Sequence, residues 1–160
     1  MAKNNKELQQ WNAFIERFIT RLPKLDGPNV LVLGRSHINS IQKKFPMATL
    51  VDGPPIDYSL LPDKSFDTIY CLNMLEYEEK PWETAKFLVD KLAVGGMIVV
   101  AVPSMLFHHP KGNVGDYWRF LHGNIERLFS LPVIKQATCN FVGFSPSSRY
   151  IGLCYLLRKS

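Results

Sequence analysis

Residues 97–102 read Met-Ile-Val-Val-Ala-Val, an unbroken apolar run rich in β-branched side chains and entered through Gly95-Gly96. Such a run has no polar face to turn to water, so as a strand it is buried on both sides. Residues 29–33 (Asn-Val-Leu-Val-Leu), framed by Gly27-Pro28 and Gly34, repeat the pattern, and so do residues 66–72. Strands buried on both faces belong in a parallel sheet covered by helices, which predicts that these three lie side by side at its centre.

The segments between them supply the helices. From residue 6 to 22 the apolar positions Leu8, Trp11, Phe14, Ile15, Phe18, Ile19 and Leu22 recur at spacings of three and four, one wide stripe of a helix that Pro23 helps to stop. A short helix is expected over 36–45, and a strand over 48–51 that ends at the breakers Asp52-Gly-Pro-Pro55. Pro81 suits a first helical position, with Trp82, Ala85, Leu88, Val89 and Leu92 as the apolar face before Gly95-Gly96 ends the helix. Alternating strands and helices imply right-handed crossovers. At the end of the chain a helix over 124–129 precedes strand candidates at 133–141 and 150–157. The segment between those two is too short for a crossover helix, so they are expected to pair as an antiparallel hairpin. The fold class is therefore α/β: a Rossmann-like, mostly parallel sheet with helices on both faces and an antiparallel C-terminal hairpin. Residues 1–160 are expected to form one domain, with 1–23 as an amphipathic helix packed on the core.

Composition bounds the function classes. The 160 residues are 46% hydrophobic, enough for one core, but no stretch approaches a membrane span and residues 1–7 lack a secretory signal's apolar centre. A cytoplasmic location is expected. Cys71, Cys139 and Cys154 lie far apart among apolar neighbours, which suits buried thiols rather than a disulfide framework. The net charge of +5 permits a nucleic-acid partner without implying one, because the basic residues are scattered in twos.

Several local motifs, in this order, resemble the small-molecule branch of the class I S-adenosylmethionine-dependent methyltransferases. Leu61-Pro-Asp-Lys-Ser-Phe-Asp67 resembles that family's approach to its fourth strand, and Leu72-Asn-Met-Leu-Glu-Tyr77 the segment just after it. Leu92-Ala-Val-Gly-Gly96 is similar to the turn into the fifth strand, and His109-Pro with Asp116-Tyr-Trp-Arg-Phe120 resembles a signature of many members. The resemblance spans nearly the whole chain, in a shortened form. It implies S-adenosylmethionine as cofactor, bound beyond the carboxyl ends of the parallel strands. Gly34, Arg35 and Ser36 would meet its methionine end, although the family's glycine-rich loop is reduced here to Gly34. Asp52, after the second strand, matches the family's ribose-binding carboxylate, and Asp57 one near the adenine. Only four residues separate them where the family has a helix and another strand, so one of the two is left to a turn role. Asn73 falls just after a buried strand, where either a ligand contact or a polar helix start is open.

The loop after the fifth strand carries His108, His109, Asp116, Tyr117 and Arg119. One reading makes 108–120 a lid hinged at Gly112 and Gly115, with His109, Asp116 and Tyr117 as candidate catalytic groups. The other has Trp118 and Phe120 anchoring the loop while Asp116 and Arg119 pair at the surface. No metal site is expected, since the histidine pair lacks a third ligand at workable spacing. The resemblance implies methyl transfer to a small or anionic acceptor that the sequence does not identify. The alternative is a non-catalytic module of the same fold that binds a protein or nucleotide partner. A nicotinamide-dependent oxidoreductase ranks last, for want of a G-x-G-x-x-G fingerprint.

Overall fold

The computed structural model describes residues 2–25, 27–34, 37–51, 53, 56–62, 65–104, 115–140 and 150–160. Its elements are α1 (Ala2–Thr20), β1 (Val30–Leu33), α2 (Ile38–Lys44), β2 (Thr49–Val51), β3 (Phe66–Leu72), α3 (Pro81–Lys91), β4 (Leu92–Pro103), α4 (Asn124–Phe129), β5 (Val133–Asn140) and β6 (Tyr150–Arg158), with 3-10 turns at Tyr58–Leu60 and Leu75–Tyr77. The strands form one sheet in the order β2-β1-β3-β4-β6-β5. The first four are parallel, and β6 runs antiparallel to both β4 and β5. β1, β3 and β4 therefore lie side by side, as their apolar runs demand.

Alternation along each strand divides the core into two layers. Leu31, Leu33, Ile69, Ile98 and Val100 face α3 and α4, while Val30, Val32, Tyr70, Val99 and Ala101 face α1 and α2. Of the stripe read from the sequence, Trp11, Ile15, Phe18, Ile19 and Leu22 are buried in the second layer, while Leu8 and Phe14 are half-buried. At about 25 cal/mol per Å² of apolar surface, burying each such side chain stabilises by roughly 1.5–3 kcal/mol, which holds α1 on the sheet. No helix among the described residues is long and apolar enough to cross a membrane.

One boundary differs from expectation. α3 stops at Lys91, and β4 already begins at Leu92 rather than after Gly95-Gly96. Leu92 pairs with Phe66, and the next pair is Met97 with Thr68, so the extra residues of β4 form an irregularity. Gly95, at φ +79°, supplies the left-handed residue that this detour needs. A pattern that ends a helix and one that bulges a strand look alike in sequence, because both place glycine after an apolar residue.

Candidate functional site

The carboxyl ends of β1, β3 and β4 open onto one edge of the sheet, and Gly34, Asn73 and Ser104 are the residues that follow them. Gly34 sits at φ +96°. A Cβ there would come within 2.7 Å of the Leu72 carbonyl and 2.9 Å of the Met74 side chain, so only glycine fits. Its N–H is spent on the Val51 carbonyl at 3.2 Å. Gly34 and the segment around Asn73 are thus brought together at the carboxyl edge of the sheet. Ser104 is 3% exposed, and its hydroxyl has no hydrogen-bond partner among the described residues. A buried hydroxyl without a partner costs about 1–3 kcal/mol, which a ligand at the end of β4 would relieve.

Asn73 adopts φ 53°, a conformation asparagine tolerates better than most residues. Its N–H reaches the Ala101 carbonyl at 2.9 Å. Its side-chain oxygen accepts the Trp11 indole N–H at 2.8 Å, in the interior. Trp11 itself rests on Gly152, where a Cβ would lie 2.7 Å from the ring. α1 therefore buttresses the floor of the crevice through one buried hydrogen bond that sequence spacing could not reveal.

Leu75, Glu76 and Tyr77 form the next turn, and all three are buried. A strap of residues 115–120 lies across it. Tyr117 and Trp118 donate backbone N–H groups to the Glu76 carbonyl at 2.8 and 3.2 Å, and Phe120 donates to Pro103 at 3.1 Å. The Trp118 indole N–H reaches the Glu78 carbonyl at 2.9 Å. Phe120 is buried, so the aromatic end of the loop is fixed in place. The Asp116 side chain is fully buried and grips the Arg119 guanidinium with both oxygens, Arg119 Nη2 lying 2.6 Å from Oδ2. This corrects the expected surface pair. Hydrogen bonding to Asp116 raises the Arg119 pKa, burial opposes it, and the nearby Glu76 carboxylate adds to the rise. Burial pushes the Tyr77 phenol up, Glu76 and Asp116 push it further, and Arg119 opposes them.

The outer wall is a second polar group. Glu78 accepts from the Ile56 N–H at 3.3 Å and the Thr84 hydroxyl at 3.4 Å, and Thr84 also lies 2.5 Å from the Tyr58 hydroxyl. Burial raises the Glu78 pKa against these hydrogen bonds, and raises Tyr58 to about 12. Burial also pushes the Cys71 thiol up, helped by Glu76 and Glu78, so it is no nucleophile.

The remaining predicted site residues are dispersed. Asp57 is exposed and caps the Tyr58–Leu60 turn, accepting from the Ser59 N–H at 3.0 Å and the Ser59 hydroxyl at 2.6 Å, which lowers its pKa. That geometry is the turn role left open above. Tyr117 is 53% exposed at the rim. Arg35, Ser36, Asp52, His108, His109 and Gly112 lie outside the described residues. Sequence reasoning did not foresee the pairing of His37 with Glu16: its Nδ1 lies 2.7 Å from Glu16 Oε1, with the Ser40 hydroxyl donating to the same oxygen at 2.8 Å. The signal was present in a histidine beside Gly34, but its partner comes from a helix 21 residues earlier. Among the described residues no three His, Cys, Asp or Glu side chains could hold a metal ion.

No family model matches the chain, and no curated protein does at a significant level. Solved structures do. A chain of the complex between the Haloferax volcanii Trm112 methyltransferase activator and a methyltransferase matches with TM-score 0.67 and 14% identity, over 99% of this chain and 94% of that one. A S-adenosylmethionine-dependent methyltransferase of Methanosarcina mazei gives 0.59 and 11%, over 89% and 96%. The N-methyltransferase NodS of Bradyrhizobium japonicum, solved with S-adenosyl-L-homocysteine, gives 0.55 and 13%, over 99% and 86%. With its parallel β2-β1-β3-β4 core and antiparallel β6, this chain has the fold of the class I S-adenosylmethionine-dependent methyltransferases.

Proposed function

We propose that the protein is an S-adenosylmethionine-dependent methyltransferase acting on a small or anionic acceptor. The observation that carries this reading is that Gly34, in its left-handed turn, lies at the carboxyl edge of a methyltransferase-type sheet with Asn73 and the Ser104 hydroxyl, which has no partner among the described residues. These residues fit the methionine end of the cofactor, because the tight turn at Gly34 keeps side-chain bulk off the crevice floor and Ser104 offers a hydroxyl. The ribose would fall to Asp52. Bound there, the cofactor would supply an electrophilic methyl group on a sulfonium for transfer to the acceptor's lone pair. The protein's part is alignment, which by itself supplies several kcal/mol of barrier reduction. In this reading Asp116 is a positioning residue that holds the strap through Arg119, leaving His109 and Tyr117 as the candidates to take a proton from the acceptor.

The second reading, a partner-binding module of the same fold, is favoured by two observations. The glycine-rich loop is reduced to Gly34, and one structural neighbour was solved in complex with an activator protein. Calorimetric titration with S-adenosylmethionine and S-adenosylhomocysteine separates the two. Micromolar binding supports the enzyme, and the absence of heat at millimolar ligand supports the module.

A further inference from the structure

A cleft of about 400 Å³ lies outside the crevice, between the start of α3 and α4, with Trp82, Trp118, Phe120 and Arg127 among its walls. Its size falls in the range of small-molecule sites. Trp82 and Trp118 meet nearly at right angles, with ring centroids 5.9 Å apart and an 83° angle between planes. The two rings form a corner rather than a closed stack. Trp82 is 52% exposed and Trp118 36%, a large apolar area to leave in water. The Trp118 ring is held in place by its indole bond to the Glu78 carbonyl, so that wall is preformed.

Charge narrows the ligand. Arg119 is committed to Asp116, and Glu83 beside Trp82 is paired with Lys80 at 3.0 Å. Arg127 is exposed, and its guanidinium has no hydrogen-bond or ion-pair partner among the described residues. Among the described residues that line it, the cleft thus offers aromatic faces and one uncommitted positive charge, and no carboxylate. A cationic ligand such as a methylated amine would be repelled by Arg127. A planar ring bearing an anionic group satisfies both features, the ring stacking on indole and the anion meeting the guanidinium. We propose that the cleft between α3 and α4 binds a nucleobase carrying a phosphate, with Trp82 and Trp118 stacking the base and Arg127 pairing with the phosphate.

The cleft shares the strap of residues 115–120 with the crevice but does not rest on the methyltransferase reading. The protein has three tryptophans, and Trp11 is bound to Asn73 beneath the crevice. The Trp82 indole therefore reports the cleft and the Trp11 indole the crevice, while Trp118 lies on the strap that joins them. Guanosine 5′-monophosphate is the probe, since guanine is absent from the proposed cofactor, and excess S-adenosylhomocysteine is added to fill the crevice if it binds there. Saturable shifts of the Trp82 and Trp118 indoles, with Trp11 unmoved, are expected. Trp82→Leu should weaken binding of both the nucleotide and guanosine about fivefold or more. Arg127→Gln should weaken the nucleotide about tenfold and leave guanosine unchanged. Both positions are exposed, and unchanged thermal melting of the variants verifies that they fold. An unstructured RNA pentamer decides the source of the base: tighter binding than the mononucleotide indicates nucleic acid, and equal binding a free nucleotide. No indole shift at millimolar nucleotide, a shift confined to Trp11, or full affinity in Arg127→Gln overturns the proposal.

Discussion

At the scale of single residues, the account turns on side chains whose neighbours leave no choice. Gly34→Ala would force an L residue to φ +96° with its Cβ 2.7 Å from a backbone carbonyl. The backbone term alone is about 1–2 kcal/mol and the clash adds to it, so the variant should lose roughly 2 kcal/mol or more in urea unfolding. A loss under about 0.5 kcal/mol would show that the β1 turn is not as described. Asp116 is buried with its charge matched by Arg119, and removing one member of such a pair costs about 3–5 kcal/mol. Arg119→Met should fall near the lower figure, because the guanidinium side keeps some contact with water, while a neutral result would return the pair to the surface role first expected. The sequence placed Asp116 and Arg119 together but not inside. Their burial comes from the strap folding back on the Glu76 carbonyl, a contact made by backbone atoms that carry no residue signature.

At the scale of elements, two connections are open to measurement. The strap is tied to the turn at Leu75–Tyr77 by the N–H groups of Tyr117 and Trp118 and to β4 by that of Phe120. These three amides should exchange slowly in the native protein. In Asp116→Asn they should lose protection while β3 and β4 keep theirs, and equal loss across strap and strands would mean that the strap is no separate unit. The second connection joins α1 to α2 through Glu16, His37 and Ser40. Partial burial raises the Glu16 pKa, but the hydrogen bonds from His37 and Ser40 and the His37 charge outweigh it, so the carboxyl titrates below its ordinary value of 4.5. A folded-state pKa below the unfolded one contributes stability that is present above 4.5 and lost as pH falls through the folded value. Glu16→Gln should therefore cost roughly 0.5 kcal/mol near neutral pH, discounted for solvent screening, and progressively less as the pH falls through the folded-state value. A cost that is independent of pH would assign the loss to packing. The elements themselves were largely legible: the apolar runs of β1, β3 and β4, Pro81 at the head of α3, and the stripe on α1 all record local burial. The early start of β4 was not legible, because only pairing with Phe66 distinguishes a bulged strand from the end of a helix.

At the scale of the whole molecule, the sheet order explains how a chain with so short a link between Asp52 and Asp57 keeps a methyltransferase-type core. β2 is the edge strand, so a helix and strand missing between Asp52 and Asp57, as the resemblance implies, would be lost beyond that edge and leave the β1-β3-β4 centre intact. The carboxyl edge of the sheet was legible in the sequence because strand ends can be counted. The contact beneath it was not, since the bond from Trp11 to Asn73 spans 62 residues and joins two elements with no shared pattern. The central claim is that this crevice takes the cofactor. It is tested most directly by titrating S-adenosylhomocysteine into the isotope-labelled protein and following the amides of Gly34, Asn73 and Ser104 with the Trp11 indole. The account predicts saturable shifts of these four signals with a micromolar dissociation constant, while the amides of β5 stay in place. Four unmoved signals at millimolar ligand, or shifts confined to residues away from the carboxyl edge of the sheet, would contradict it.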